Sequence, residues 1–222
     1  MSADFVQNTQ FSPPLGSVLF GERNDSPGAL AGTNNYVAAL QLDSAGALRV
    51  NQEGGKPTYF ATSSFSCDST ATDIAVFAGV AGVTAKILAI LITTDATSAA
   101  GGDLQIIRRK TANTAGTTAN ASVGLADMRD AAASCQPVHY TAHPTALGTG
   151  NGNIWAQRVY QPAIHTALPT LLSLDFTKIG GGKTLRVSGT SDFICVNVPA
   201  ALGGSGNNWD VTWLWVEEPT SA

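Results

Sequence analysis

The chain has 222 residues, 44% of them hydrophobic and 13% charged, against about 25% charged in an average soluble domain. That balance excludes extended disorder, which needs low hydrophobicity and high net charge. Lys plus Arg number 12 and Asp plus Glu 16, for a net charge of −4. This is too little positive charge to neutralise a phosphate backbone, so nucleic acid is not expected as a partner.

The 33 Ala, 23 Gly and 24 Thr suit closely packed strands and ordered turns better than a helical bundle, which would favour Leu, Glu and Lys. The longest apolar run, Ile87 to Ile92, falls far short of the roughly 20 residues needed to cross a bilayer, so no membrane association is expected. Met1 to Gln10 lacks a basic region followed by an apolar one, and does not read as a secretory signal. Cys67, Cys135 and Cys195 are odd in number and contain no CxxC. They are expected to be buried free thiols rather than a disulfide framework or zinc ribbon.

Residues 1–35 are rich in Gly, Pro and Asn, with scattered Phe5, Phe11, Leu15, Val18, Leu19 and Phe20. No period of 2 or 3.6 holds across them, so they are expected to form an extended arm whose apolar residues rest on a partner. Residues 36–222 are expected to form one β domain. Tyr36 to Leu42 and Ala47 to Asn51 flank a turn at Asp43–Gly46. Strands follow at Thr58–Ser66, Asp73–Ala78 and Thr84–Thr94, the last two joined by a Gly79–Gly82 turn. In Thr84–Thr94, strict alternation puts Ile87, Ala89 and Leu91 on one face and Leu88, Ile90 and Ile92 on the other. Both faces are apolar, so both should be covered. Asp103–Arg109 reads as a strand running into a solvated basic triplet, Arg108 to Lys110.

Thr111–Ala121 reads as a polar loop. Ser122–Cys135 reads as one short helix, with Ser122 as N-cap and Val123, Leu125, Ala126 and Met128 in partial helical spacing. Strands resume at Val138–Thr141, Asn153–Gln161, Thr170–Thr177, Thr184–Val198 and Trp209–Val216. Gly189 should split the fourth of these. The last, apolar on both faces, belongs at the centre of its sheet. Nine or ten strands, Gly/Pro/Asn turns and one helix predict an all-β, antiparallel β-sandwich or barrel.

The chemical motifs are weak. Gly180-Gly-Gly-Lys183-Thr184 resembles part of a phosphate loop. It lacks the required earlier Gly, that position being Thr177, and a strand rather than a helix should follow, so it reads as a turn. His139 and His143 have metal-ligand spacing, but Pro137 and Pro144 bracket them in an extended segment, and no HExxH is present. No G-x-S-x-G elbow occurs, and Ser191, Asp192 and His165 form no recognisable triad. Glu217 and Glu218 are adjacent on a strand, hence on opposite faces, and read as a solvated terminus. Asn24-Asp-Ser26 and Asn120-Ala-Ser122 match glycosylation sequons, which mean little without a secretory signal. Trp155, Trp209, Trp213 and Trp215 are open to two readings, a glycan-stacking platform or the core. No catalytic residue, cofactor or metal is expected.

Five segments carry a resemblance: Tyr140-Thr-Ala-His-Pro-Thr145, Gly150-Asn-Gly-Asn-Ile154, Thr184-Leu-Arg-Val-Ser-Gly189, Phe193-Ile-Cys-Val-Asn-Val198 and the terminal Trp209-Asp-Val-Thr-Trp-Leu-Trp-Val-Glu-Glu218. With Asp73–Gly82, they make residues 58–218 similar to tailed-bacteriophage virion structural proteins. The resemblance implies a jelly roll or related sandwich built into a particle, assembled in the host bacterial cytoplasm. The role implied is non-enzymatic, with capsid decoration or cement as the first reading. A tail or fibre component, with a glycan or receptor as ligand, is the alternative. Expected partners are other copies of the chain, as a trimer, and the major capsid protein or other virion proteins.

Overall fold

The computed structural model describes residues 21–23, 40–42, 56–67, 72–164, 168–177, 184–202 and 206–220. The chain divides into two compact units, Met1–Gln52 and Glu53–Ala222. In the first, β1 (Gly21–Arg23) pairs in parallel with β2 (Leu40–Leu42). Phe5, Phe11, Leu15, Val18, Leu19 and Phe20 lie outside the described residues, as do Asp43–Gly46 and Ala47–Asn51.

The second unit is an all-β sandwich of two antiparallel sheets. Its strands are β3 (Thr58–Cys67), β4 (Thr72–Ala78), β5 (Val83–Asp95), β6 (Ala100–Arg109), β7 (Thr117–Asn120), β8 (Ser122–Leu125), β9 (Val138–Ala142), β10 (Gly150–Gln161), β11 (Thr170–Asp175), β12 (Leu185–Ser188), β13 (Phe193–Val198) and β14 (Asn207–Pro219). One sheet runs β11-β5-β14-β3-β8, with β12 also on β5; the other runs β10-β6-β13-β4-β9-β7. Take the eight principal strands in chain order as β3, β4, β5, β6, β10, β11, β13 and β14. The first sheet then reads first–eighth–third–sixth, and the second reads second–seventh–fourth–fifth. Successive strands change sheet at every step except from the fourth to the fifth, and the last returns to lie beside the first. That is jelly-roll order.

The core lies between the sheets and is dominated by β14. Trp209, Trp213 and Trp215 are buried on its inner face with Val211. Phe77 of β4 crosses the gap to them, its ring 5.6 Å from that of Trp213 and 5.2 Å, edge-on, from that of Trp215. Aromatic burial of this kind gives the largest contribution per residue that a core can make. β14 sits between β5 and β3, in the central place expected for it, but only its inner face is fully covered: Asp210 on the other face is exposed and Thr212 and Leu214 are half-buried.

The strict alternation expected for β5 does not hold. Leu214 of β14 pairs with Ala89, but Trp215 pairs with Ile87, so Leu88 is an extra residue. This bulge moves the pleat by one step, and Ile87 joins Ile90 and Ile92 in the buried core. At the same point the neighbouring strand changes. Asp175 at the end of β11 pairs with Ala89, Leu185 at the start of β12 pairs with Ile87, and Phe176 N donates to the carbonyl of Leu88 at 2.8 Å.

The helix expected over Ser122–Cys135 is absent, and no helix occurs among the described residues. Ser122–Leu125 is instead strand β8, paired with Thr62 to Tyr59 on the open edge of β3. Two local features favour this outcome. Gly124 weakens any helix, and its bare Cα lets the Phe60 ring lie directly over it. Asp127 then forms a turn, accepting from Arg129 N at 3.0 Å and from the Arg129 side chain. The expected loop over Thr111–Ala121 likewise contains a short strand, β7, paired with β9. The expected break at Gly189 is present: Gly189 has φ +69° and separates β12 from β13.

Candidate functional site

The most organised polar cluster lies on the second sheet, on the face away from the core. From the long connection between β6 and β10, residues 110–149, it is Asn113, Tyr140 and Gly148 that meet this face. Tyr140 of β9 closes on Val76 of β4 and Cys195 of β13, with Val138 and Phe193 packed alongside. This small cluster is separate from the main core. Strand β4 is therefore buried on both faces, one of them covered by the chain's own insertion.

Beneath that cover lies Asp73, fully buried. Its Oδ2 accepts from Arg109 Nε at 2.6 Å and from Asn113 Nδ2 at 2.9 Å. Its Oδ1 accepts from Arg109 Nη2 and from Asn197 Nδ2, both at 2.7 Å. Arg109 Nη1 donates to the Gly148 carbonyl at 2.7 Å, and Asn113 Oδ1 accepts from Gly148 N at 2.7 Å. Asn113 Nδ2 also reaches Tyr140 Oη at 3.0 Å. Gly148 must be glycine here, because a Cβ would collide with the Thr111 carbonyl. One carboxylate thus ties together β4, β6, β13 and both ends of the insertion.

The electrostatics leave this cluster chemically quiet. Burial, with Asp73 adding to it, raises the Cys195 thiol well above its usual range, so it stays protonated and is no nucleophile. Burial also raises the Tyr140 phenol, which Asn113 only partly offsets. Burial acts to lower the Arg109 pKa, but its bonds to Asp73 outweigh this and keep it charged. Every oxygen of Asp73 is engaged, so no acceptor remains for a substrate or ion.

A second carboxylate clamp sits at the end of β14. Glu217 Oε1 accepts from Cys135 N at 2.8 Å and Trp215 Nε1 at 2.9 Å, and its Oε2 accepts from Ser134 N at 2.9 Å. Tyr59 Oη donates to the Ala131 carbonyl at 3.0 Å. These bonds hold the segment after β8 in its non-helical path. Burial, reinforced by Glu217, pushes the Cys135 thiol up to about 12. Glu218 points away from Glu217 and accepts from Lys56 at 2.8 Å and Lys86 at 3.0 Å. Burial pushes the Glu218 carboxyl up, but the two lysines outweigh this and hold it below its ordinary value.

Several sequence expectations need correction. Glu217 is buried and bonded, not a solvated terminus. In the basic triplet, Arg109 is buried on Asp73, and Arg108 makes a two-pronged pair with Asp192, both bonds at 2.7 Å. Asp192 is committed to that pair and is not poised beside Ser191 for catalysis. Trp209, Trp213 and Trp215 are core, and Trp155 packs against the core, so they present no stacking platform. His139 stacks on Phe65, ring centroids 4.7 Å apart, and burial lowers its pKa. Among the described residues no three His, Cys, Asp or Glu converge as metal ligands. His165 and Gly180–Lys183 lie outside the described residues, and Leu185–Val187 after them form a strand, as expected. Cys135 and Cys195 are buried free thiols, as expected.

The residues that sequence reasoning passed over are Asp73, Asn113 and Asn197. Asp73 and Asn197 carried a signal, a lone acid and a lone amide within strands otherwise apolar, in a chain with few charges; Asn113, in a polar loop, carried none.

The fold and these clusters define a jelly-roll sandwich whose buried charged groups are paired within the chain. No protein-family model matches the sequence, and no curated protein does. Among solved structures, a chain of the "KBV activated particle at acidic pH" is similar at 11% identity and TM-score 0.30, over 95% of this chain and 87% of that one. A chain of "Israeli acute paralysis virus heated to 63 degree - full particle" is similar at 14% identity and TM-score 0.25, over 97% and 89%. Scores of this size establish neither a shared fold nor kinship.

Proposed function

We propose that the chain is a non-enzymatic structural subunit of a virus particle. Following the resemblance over residues 58–218, we assign it to the head of a tailed bacteriophage as a decoration or cement protein. It would be assembled in the host bacterial cytoplasm as a homo-oligomer, a trimer, on the major capsid protein. The arm over residues 1–35, through Phe5, Phe11, Leu15, Val18, Leu19 and Phe20, would reach onto a neighbouring subunit.

One observation carries this reading. Strand β10 is twelve residues long and, among the described residues, pairs with β6 on one side and with no strand on the other. Along the same flank, Tyr160 is 60% exposed, Leu168 89% and Leu171 62%. Apolar side chains beside a long open strand edge are what a subunit offers to a neighbour. The low charge content supports the same reading, since few charges would need desolvating in such contacts. With the tryptophans in the core, nothing favours a glycan-binding tail module.

The test is to locate the chain on purified particles by electron cryomicroscopy, and to measure occupancy for Tyr160→Glu combined with Leu171→Lys. Density on the head, and lost occupancy with unchanged thermal stability, are expected. Density at the tail overturns the decoration role. A variant that binds as well as the parent overturns the assigned surface, and turnover of a cell-wall or capsular polysaccharide overturns the non-enzymatic reading.

A further inference from the structure

Asn151 is the only asparagine in the sequence followed by glycine. It is exposed at the head of β10, between Gly150 and Gly152. The ladder to β6 is irregular there. Gly150 pairs with Arg109 and Asn153 with Ile107, so Asn151 and Gly152 together stand opposite the single residue Arg108. Gly152 has φ +117°, and a Cβ built on it would meet nothing within 4 Å. Glycine is the residue whose backbone moves most freely among conformations, and here it has open space in which to do so.

We propose that Asn151 is a site of spontaneous deamidation. The main-chain nitrogen of Gly152 gives up its proton to base and attacks Cγ of Asn151. The N–Cγ bond forms, the proton is returned from the base to Nδ2, the Cγ–Nδ2 bond breaks and ammonia leaves, closing a five-membered succinimide. Water then adds to either carbonyl of the ring and reopens it as aspartate or isoaspartate. Nothing is oxidised or reduced, and water is the only co-reactant. A side chain on the following residue hinders the attack, and Gly152 has none. Among the described residues the other asparagines are less suited. Asn113 and Asn197 are held in the Asp73 cluster and precede Thr114 and Val198, and Asn153 precedes Ile154.

The product places a negative charge opposite Arg108, whose guanidinium is already paired with Asp192. The isoaspartate form also lengthens the main chain within the bulge at the head of the open edge strand.

The experiment incubates the full chain in mildly alkaline and mildly acidic buffer, with peptide mapping by mass spectrometry and isoaspartyl methyltransferase labelling. A free peptide spanning Thr149–Trp155 and the urea-unfolded chain serve as references. The expected result is conversion of Asn151 in the folded chain within severalfold of the peptide rate. It should be faster in alkaline buffer, leave Asn113 and Asn197 intact, and disappear in Asn151→Gln with unchanged thermal stability. If Asn151 keeps its amide in the folded chain while both references convert, or if labelling falls only on other residues, the proposal is overturned.

Discussion

Asp73 and Arg109 meet through two parallel hydrogen bonds of 2.6 and 2.7 Å, with side-chain exposures of 0% and 7%. Removing one partner of a buried pair strands the other charge, at a cost of about 3–5 kcal/mol. Asp73→Asn is expected to destabilise the sandwich by that order. Replacing both residues together, as Asp73→Leu with Arg109→Met, should recover part of the loss. Recovery stays incomplete because Asn113 and Asn197 lose their acceptor too. A double-mutant cycle by urea denaturation measures the coupling.

Glu217→Gln replaces an oxygen that accepts a backbone N–H with an amide group that cannot. A loss of about 1–3 kcal/mol is expected from the unsatisfied group. Faster hydrogen exchange should appear at Ser134 and Cys135, with β13 and β6 unaffected. Hydrogen exchange read by mass spectrometry distinguishes this local release from general unfolding.

His139 is held below its ordinary pKa by burial against Phe65. The unfolded chain therefore takes up a proton at higher pH than the folded one. The contribution of neutral His139 is complete above the unfolded value of about 6.5, and it is lost as pH falls toward the lower folded value. Urea midpoints should drop between neutral and mildly acidic buffer, and the His139→Phe variant should drop less. Equal slopes would assign the effect to other groups.

Cys135 and Cys195 are buried, and burial holds both thiols protonated, Cys135 to about 12. Neither should react with a thiol reagent in mildly alkaline buffer until the chain is unfolded. Peptide mapping after native and denatured labelling checks each residue separately.

Trp215 is fully buried between Tyr59 and Phe77. Trp215→Ala should cost about 3–5 kcal/mol, the range for large aromatic truncations in cores. Thermal or urea denaturation measures it directly.

Much of the sandwich was legible because strands carry their own period. Thr58–Ser66, Asp73–Ala78 and Trp209–Val216 were readable from alternation and bounding turns. The central place of β14 followed from its two apolar faces. Two kinds of feature escaped. The bulge at Leu88 leaves no mark in composition, since every neighbouring residue is apolar whichever way it points. The segment after Ser122 carries helix-like spacing, and pairing with β3 together with the Glu217 clamp overrides it. The Asp73 cluster draws on residues 36 to 124 positions apart, so only the topology brings them together. The arm residues lie outside what the structure describes.

The insertion between β6 and β10 extends both sheets on a single flank, one with β8 and the other with β9 and β7. That side ends in two four-residue strands, while the opposite side ends in β10, whose far edge meets no other strand among the described residues. The sandwich of the second unit thus has one planed margin and one tongued margin. Whatever it is joined to, its two sides cannot be exchanged, and a row of such units would carry a direction.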